Sequence, residues 1–163
     1  HFLDEKNIRL FTSHKVYTET EMRSRYEIAL ENYVKTIRIE ANTMIDMIRK
    51  EILPAVTAYA KDTAAAALAK KQLIADIDTA YEEGLVKKLS ELTASIQRDT
   101  LALADTVKRA EGIRDNTERA IHAKDRVLPL MRTLRAACDE AESLTAETYW
   151  PYPTYAALLF GVE

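Results

Sequence analysis

A chain of 163 residues fits one domain around one core, and its 23 basic and 26 acidic side chains, net charge −3, provide no basic surface for nucleic acid or for an anionic membrane. Only three Gly and four Pro punctuate it, too few for a protein built from many hairpins, so long helices are the natural alternative. No apolar run approaches the ~20 residues of a bilayer span and no leader pattern opens the chain, which predicts a cytoplasmic protein; the start at His1 without a Met predicts a fragment of something longer.

Residues 1–17 mix apolar and charged positions with no sustained period and read as a lead-in segment. Thr18 followed by Glu21 has the form of a capping box, in which the two side chains satisfy orphan N–H groups, and it predicts the start of a long helix. The apolar positions of that helix are Met22, Tyr26, Leu30, Tyr33, Ile37, Ala41, Met44, Ile48 and Ile52, a repeated 4-4-3 spacing. Such an 11-residue period keeps one stripe on one side of a nearly straight helix. Pro54 lacks an N–H and its ring meets the carbonyl of Lys50, which predicts a kink before the helix continues through the alanine run toward Ile74.

A break near Asp76 to Asp78 is followed by Thr79 and Glu82, spaced as a second capping box, and by a stripe of Leu85, Leu89, Leu92, Ile96, Thr100, Leu103, Val107 and Ala110. Gly112 suits the end of this second helix, and Asp115, Asn116 and Thr117 offer competing caps for a third. So short a link predicts antiparallel neighbours. The third helix carries Val127, Met131, Leu134, Cys138 and Ala141, with a kink predicted at Pro129. In Tyr149-Trp150-Pro151-Tyr152-Pro153-Thr154-Tyr155 the prolines force extended geometry, and Leu158, Leu159 and Phe160 could anchor a short terminal helix. The prediction is thus a single all-α domain: a lead-in at 1–17, an antiparallel bundle of three long helices over 18–148, and an extended Pro/aromatic tail over 149–163.

Catalytic chemistry finds little material. His1, His14 and His122 each lack a second His three or four residues away, so neither a zinc helix nor the Glu-x-x-His pairs of a di-iron bundle can be assembled. Glu118 and His122 are spaced as a surface pair. Cys138 lies on a core stripe between Leu134 and Ala141 and reads as a buried thiol rather than a nucleophile. No two glycines are close enough for a phosphate loop. Arg23 and Arg25 sit among Glu21, Glu27 and Glu31 and read as a solvated ion-pair face rather than a phosphate site.

Two features invite a binding role. Ile28, Lys35, Ile39 and Asp46 share the side of the first helix opposite the core stripe, at 100° per residue, and are either scattered surface residues or a contact face for a missing domain or subunit. Trp150, Tyr152 and Tyr155 are either a clip across the bundle or aromatic anchors into a partner.

Three blocks do more than imply helices: EKNIRLF at 5–11, SRYEIALENYVKTIRIEANTMIDMI at 24–48 with EILPA at 51–55, and YWPYPTYAALLF at 149–160. Together they resemble the C-terminal region of type III glutamine synthetases, across essentially the whole chain, with residues 60–145 similar in helical character more than in specific residues. The resemblance implies a parent enzyme that ligates ammonia to glutamate with ATP and magnesium, assembled as a large two-ring oligomer. It implies partners in an upstream catalytic domain and in neighbouring subunits, and it places every catalytic, nucleotide and metal residue outside this chain. A stand-alone helical adaptor is the alternative reading.

Overall fold

In a computed structural model the structure describes residues 1–153 and 155–161, apart from the side chains of 155 and 156. Among them every regular element is helical: α1 (Glu5–Ser13), α2 (Glu19–Met47), α3 (Leu53–Leu73), α4 (Ala80–Arg109), α5 (Asn116–His122), α6 (Leu128–Leu144) and α7 (Tyr155–Phe160). One π turn, Ile48–Ile52, joins α2 to α3, and another, Ala123–Val127, joins α5 to α6, giving two long rods on either side of α4.

Both π turns precede a Leu-Pro pair, Leu53-Pro54 and Leu128-Pro129. A proline ring clashes with the carbonyl four residues back, here Lys50 and Asp125, and each of those carbonyls lies inside the wide turn. The strain that the sequence places at the prolines is therefore taken up by an i→i+5 turn just before each of them.

Thr18 forms the predicted capping box: its hydroxyl accepts from the Glu21 N–H at 3.2 Å and its own N–H donates to the Glu21 carboxylate at 2.7 Å. The second box does not form. Thr79 makes no cap hydrogen bond; its hydroxyl donates instead to Glu83 at 2.7 Å, and Asp78 accepts from the Ala80 N–H at 2.8 Å. Two ion pairs, Lys70 with Glu82 and Lys71 with Glu83, tie α4 to α3; the first engages the Glu82 carboxylate that the predicted box would have used. The Lys70 ammonium holds the Glu82 carboxyl below the usual carboxylate range.

The core is one cluster fed by all three rods, with Ile37, Ile48 and Val56 from the first, Leu89, Ile96 and Leu103 from α4, and Val127, Leu134 and Cys138 from the third. Thr100 is fully buried within it because its hydroxyl donates to the Ile96 carbonyl one turn back, at 2.6 Å. Between rods, Lys88 pairs with Glu140 at 2.6 Å and His122 Nε2 lies 3.0 Å from the Thr106 carbonyl. Glu118 and His122 therefore do not form the predicted surface pair, because the imidazole turns inward to α4. Tyr33, placed on the core stripe by its spacing, is 39% exposed, whereas Ile45, off that stripe, is buried.

The lead-in segment is more ordered than its sequence suggests, since residues 5–13 are helical. A Schellman turn closes α1: the Lys15 N–H donates to Thr12 O at 3.1 Å and the Val16 N–H to Phe11 O at 3.0 Å. Lys15 occupies the left-handed position, φ 53°, where glycine is usual. Lys15→Gly is accordingly expected to stabilise this corner by about 1 kcal/mol, read as slower amide exchange over residues 5–13; unchanged or faster exchange would show that the left-handed backbone is no burden here.

Candidate functional site

The C-terminal tail crosses the bundle and closes an apolar groove against it. Tyr149 anchors the crossing, donating from its hydroxyl to Asp62 at 2.8 Å while its ring meets Tyr59 at 5.1 Å between centroids. Beyond it, Trp150, Tyr152 and Pro153 line a groove of about 610 Å³ whose other walls come from α2, the first π turn and α6. Three of the chain's four methionines, Met44, Met47 and Met131, stand in this lining beside Ile48, Ile52 and Cys138. Unbranched, polarisable side chains of this kind adapt to irregular partners. Glu40, Arg135, Asp139 and Glu142 supply the charged rim.

Cys138 and Tyr152 are the chemically distinctive groups in the lining. Burial, with a smaller contribution from Asp139, pushes the Cys138 thiol up to about 11, so it is an inert core group at neutral pH. The Tyr152 hydroxyl is buried without a well-formed hydrogen bond among the described residues, and burial first, then the neighbouring Glu51 carboxylate, pushes it up to about 12.

The residues singled out from the sequence divide between three places. Ile39, 62% exposed, stands at the groove with Trp150 and Tyr152, so these three are brought together. Lys35 pairs with Glu31 at 3.9 Å and lines a separate cleft of about 390 Å³ between α2, α5 and the end of α4. Ile28 is 54% exposed and lines neither; an 11-residue step along a helix is roughly 16 Å, so sharing a side with Ile39 does not mean sharing a site. The side chain of Tyr155 lies outside the described residues. Leu159 and Phe160, predicted as tail anchors, are more than 70% exposed, and Leu158 touches only the groove's edge at 66% exposure. Arg23 pairs with Glu19 at 2.7 Å, in keeping with an ion-pair face, while Arg25 stacks over Tyr17 at 4.6 Å.

Sequence spacing missed two exposed apolar sets. One lies at the α3–α4 hairpin, where Leu68, Leu73, Ile74 and Tyr81 are all more than half exposed; the other surrounds α1. Among the described residues no three His, Cys, Asp or Glu side chains converge as metal ligands. Among them, too, no helix is long and apolar enough to cross a membrane.

Comparison with known proteins shows where such a domain occurs. Residues 1–71 match the model of the family described as the glutamine synthetase C-terminal domain. All 163 residues align at 40% identity with a glutamine synthetase of Butyrivibrio fibrisolvens and cover 23% of it. A type-3 glutamine synthetase of Dictyostelium discoideum is 29% identical over 160 residues, 96% of this chain and 22% of that protein. A glutamine synthetase of Bacteroides fragilis is 23% identical over 164 aligned positions, 98% of this chain and 22% of that protein. The chain spans less than a quarter of the length of these relatives and aligns with their C-terminal part. It is therefore a member of the glutamine synthetase C-terminal domain family, the family that its blocks at 5–11, 24–55 and 149–160 resemble.

Proposed function

We propose that this chain is the non-catalytic structural and assembly domain of a type III glutamine synthetase, a cytoplasmic enzyme that makes glutamine from glutamate, ammonia and ATP. The observation that carries the proposal is the end-to-end alignment of all 163 residues with the C-terminal part of a glutamine synthetase more than four times as long. ATP and magnesium belong to the upstream domain. That domain and neighbouring subunits are the partners, with Ile28, Lys35 and Ile39 on the helix and Trp150, Tyr152 and Tyr155 in the tail as contact candidates.

In this reading the three rods form an antiparallel three-helix bundle, kinked at Pro54 and Pro129. The opposed order of the pairs 70 with 82, 88 with 140, and 106 with 122 supports the direction of the rods, and the two π turns support the kinks. A braced bundle with one continuous apolar core, an inert Cys138, an inward-turned His122 and further apolar side chains left exposed at its surface suits a support role. Purified alone, the chain is expected to form no glutamine from glutamate, ammonia and ATP, whereas the full-length parent does. Turnover by the isolated chain, or its tight binding of ATP in calorimetry, would overturn the proposal.

A further inference from the structure

α1 is a strongly amphipathic helix with no buried residue. At nine residues it is shorter than the ~12–15 at which isolated helices become even marginally stable in water, so packing must hold it. Part of that packing is visible: Phe2 stacks on Phe11 at 6.2 Å, Phe11 on Tyr17 at 5.8 Å, and Tyr17 on Arg25 of α2. The Schellman turn through Lys15 fixes the angle at which α1 returns to α2. The rest is missing, because Phe2, Leu10 and Val16 remain exposed, Leu10 and Val16 by more than half.

Charge points the same way. Glu5 pairs with Arg9 and Asp4 lies 3.1 Å from the His1 imidazole, and around α1 the bases Lys6, Arg9 and Lys15 outnumber the acids Asp4 and Glu5. Lys6 and Lys15 have no ion-pair partner among the described residues. The uncovered surface is thus apolar with a surplus of positive charge. In the relatives, the remaining three-quarters of the polypeptide lies before the part that aligns here, and α1 is the helix nearest to it along the chain.

We propose that the exposed side of α1, built on Phe2, Leu10 and Val16 and flanked by Lys6 and Lys15, is the seat on which the upstream domain of the parent enzyme packs, through an apolar surface edged with carboxylates. This rests on the reading of the chain as a glutamine synthetase support domain, and it assigns the inter-domain contact to α1, apart from the tail groove and the α3–α4 hairpin. Burial of α1 would complete a helix that the bundle alone leaves half covered.

Hydrogen exchange on the full-length parent tests this. Amides of residues 5–13 are expected to exchange at least about tenfold more slowly in the wild-type parent than in the Leu10→Asp/Val16→Asp parent, with α4 equally protected in both. Equal rates over residues 5–13 in the two proteins, whether fast or slow, would overturn the assignment. If the double variant also loosens α4, Val16→Ser alone, at a position outside the helix, gives the same comparison with a smaller disturbance. The support-domain reading fails on a separate result: a parent lacking residues 1–163 that still assembles and turns over normally.

Discussion

Replacing Ile96 with Ala is expected to lower the free energy of unfolding of the chain by about 3–5 kcal/mol, in the upper part of the range for deletions of large aliphatic side chains. Ile96 is wholly buried at the middle of α4, and α4 is the element against which both α3 and α6 pack. A cavity there is walled by three rods at once, and the rods are too long and too continuous for one of them to shift inward and fill it. The hydroxyl of Thr100 is also tied to the Ile96 carbonyl, which keeps the local backbone from relaxing. By contrast Ile28→Ala, at a site more than half exposed, should change stability by no more than about 0.5 kcal/mol. Urea denaturation followed by helical circular dichroism reads both; a loss below ~1 kcal/mol at Ile96 would show that the bundle has no well-packed centre.

The same residues show what periodicity can and cannot tell. The stripe on α4 was legible from Leu89 to Val107, because an uninterrupted helix keeps its phase and all of Leu89, Leu92, Ile96, Thr100, Leu103 and Val107 are buried, while its ends, Leu85 and Ala110, are half-buried. The first rod was legible at Ile37, Ala41, Ile48 and Ile52 but not at Tyr33, which is exposed, nor at Ile45, which is buried off the stripe beside the half-buried Met44. Pro54 and Pro129 announced a disturbance without its form, since a π turn is a choice of hydrogen-bond partners that residue spacing does not encode. The recurrence of an aliphatic residue followed by Leu-Pro, at Ile52 to Pro54 and Val127 to Pro129, was the available signal. α1 stayed hidden because its turn uses Lys15 where a glycine would have marked a helix end. The groove was half visible: Trp150 and Tyr152 beside Pro151 and Pro153 left a clip across the bundle and anchors into a partner as alternatives, and which methionines the tail would cover depends on long-range packing.

Whether the tail is structural cover or a detachable strap decides how Cys138 behaves, and Trp150→Ala separates the two. Trp150 is partly buried and packs against the core, so its truncation is expected to cost about 2–4 kcal/mol, below the ~3–5 of a fully enclosed Trp or Phe. Cys138 lines the same groove, and its thiol is held at about 11 chiefly by burial. Removing the indole admits water and lets the thiol fall toward its ordinary range near 8.5, which raises the thiolate fraction at pH 8 on the order of 10–100-fold. Alkylation of Cys138 by a small maleimide should quicken accordingly. Lower stability alone would also expose the thiol through global opening, so Ile96→Ala is the control. That variant is at least as destabilised but keeps the tail in place, and its Cys138 should stay slow under strongly native conditions. Equal quickening in both variants would mean that the thiol is reached only by unfolding, and that the tail does not shield it.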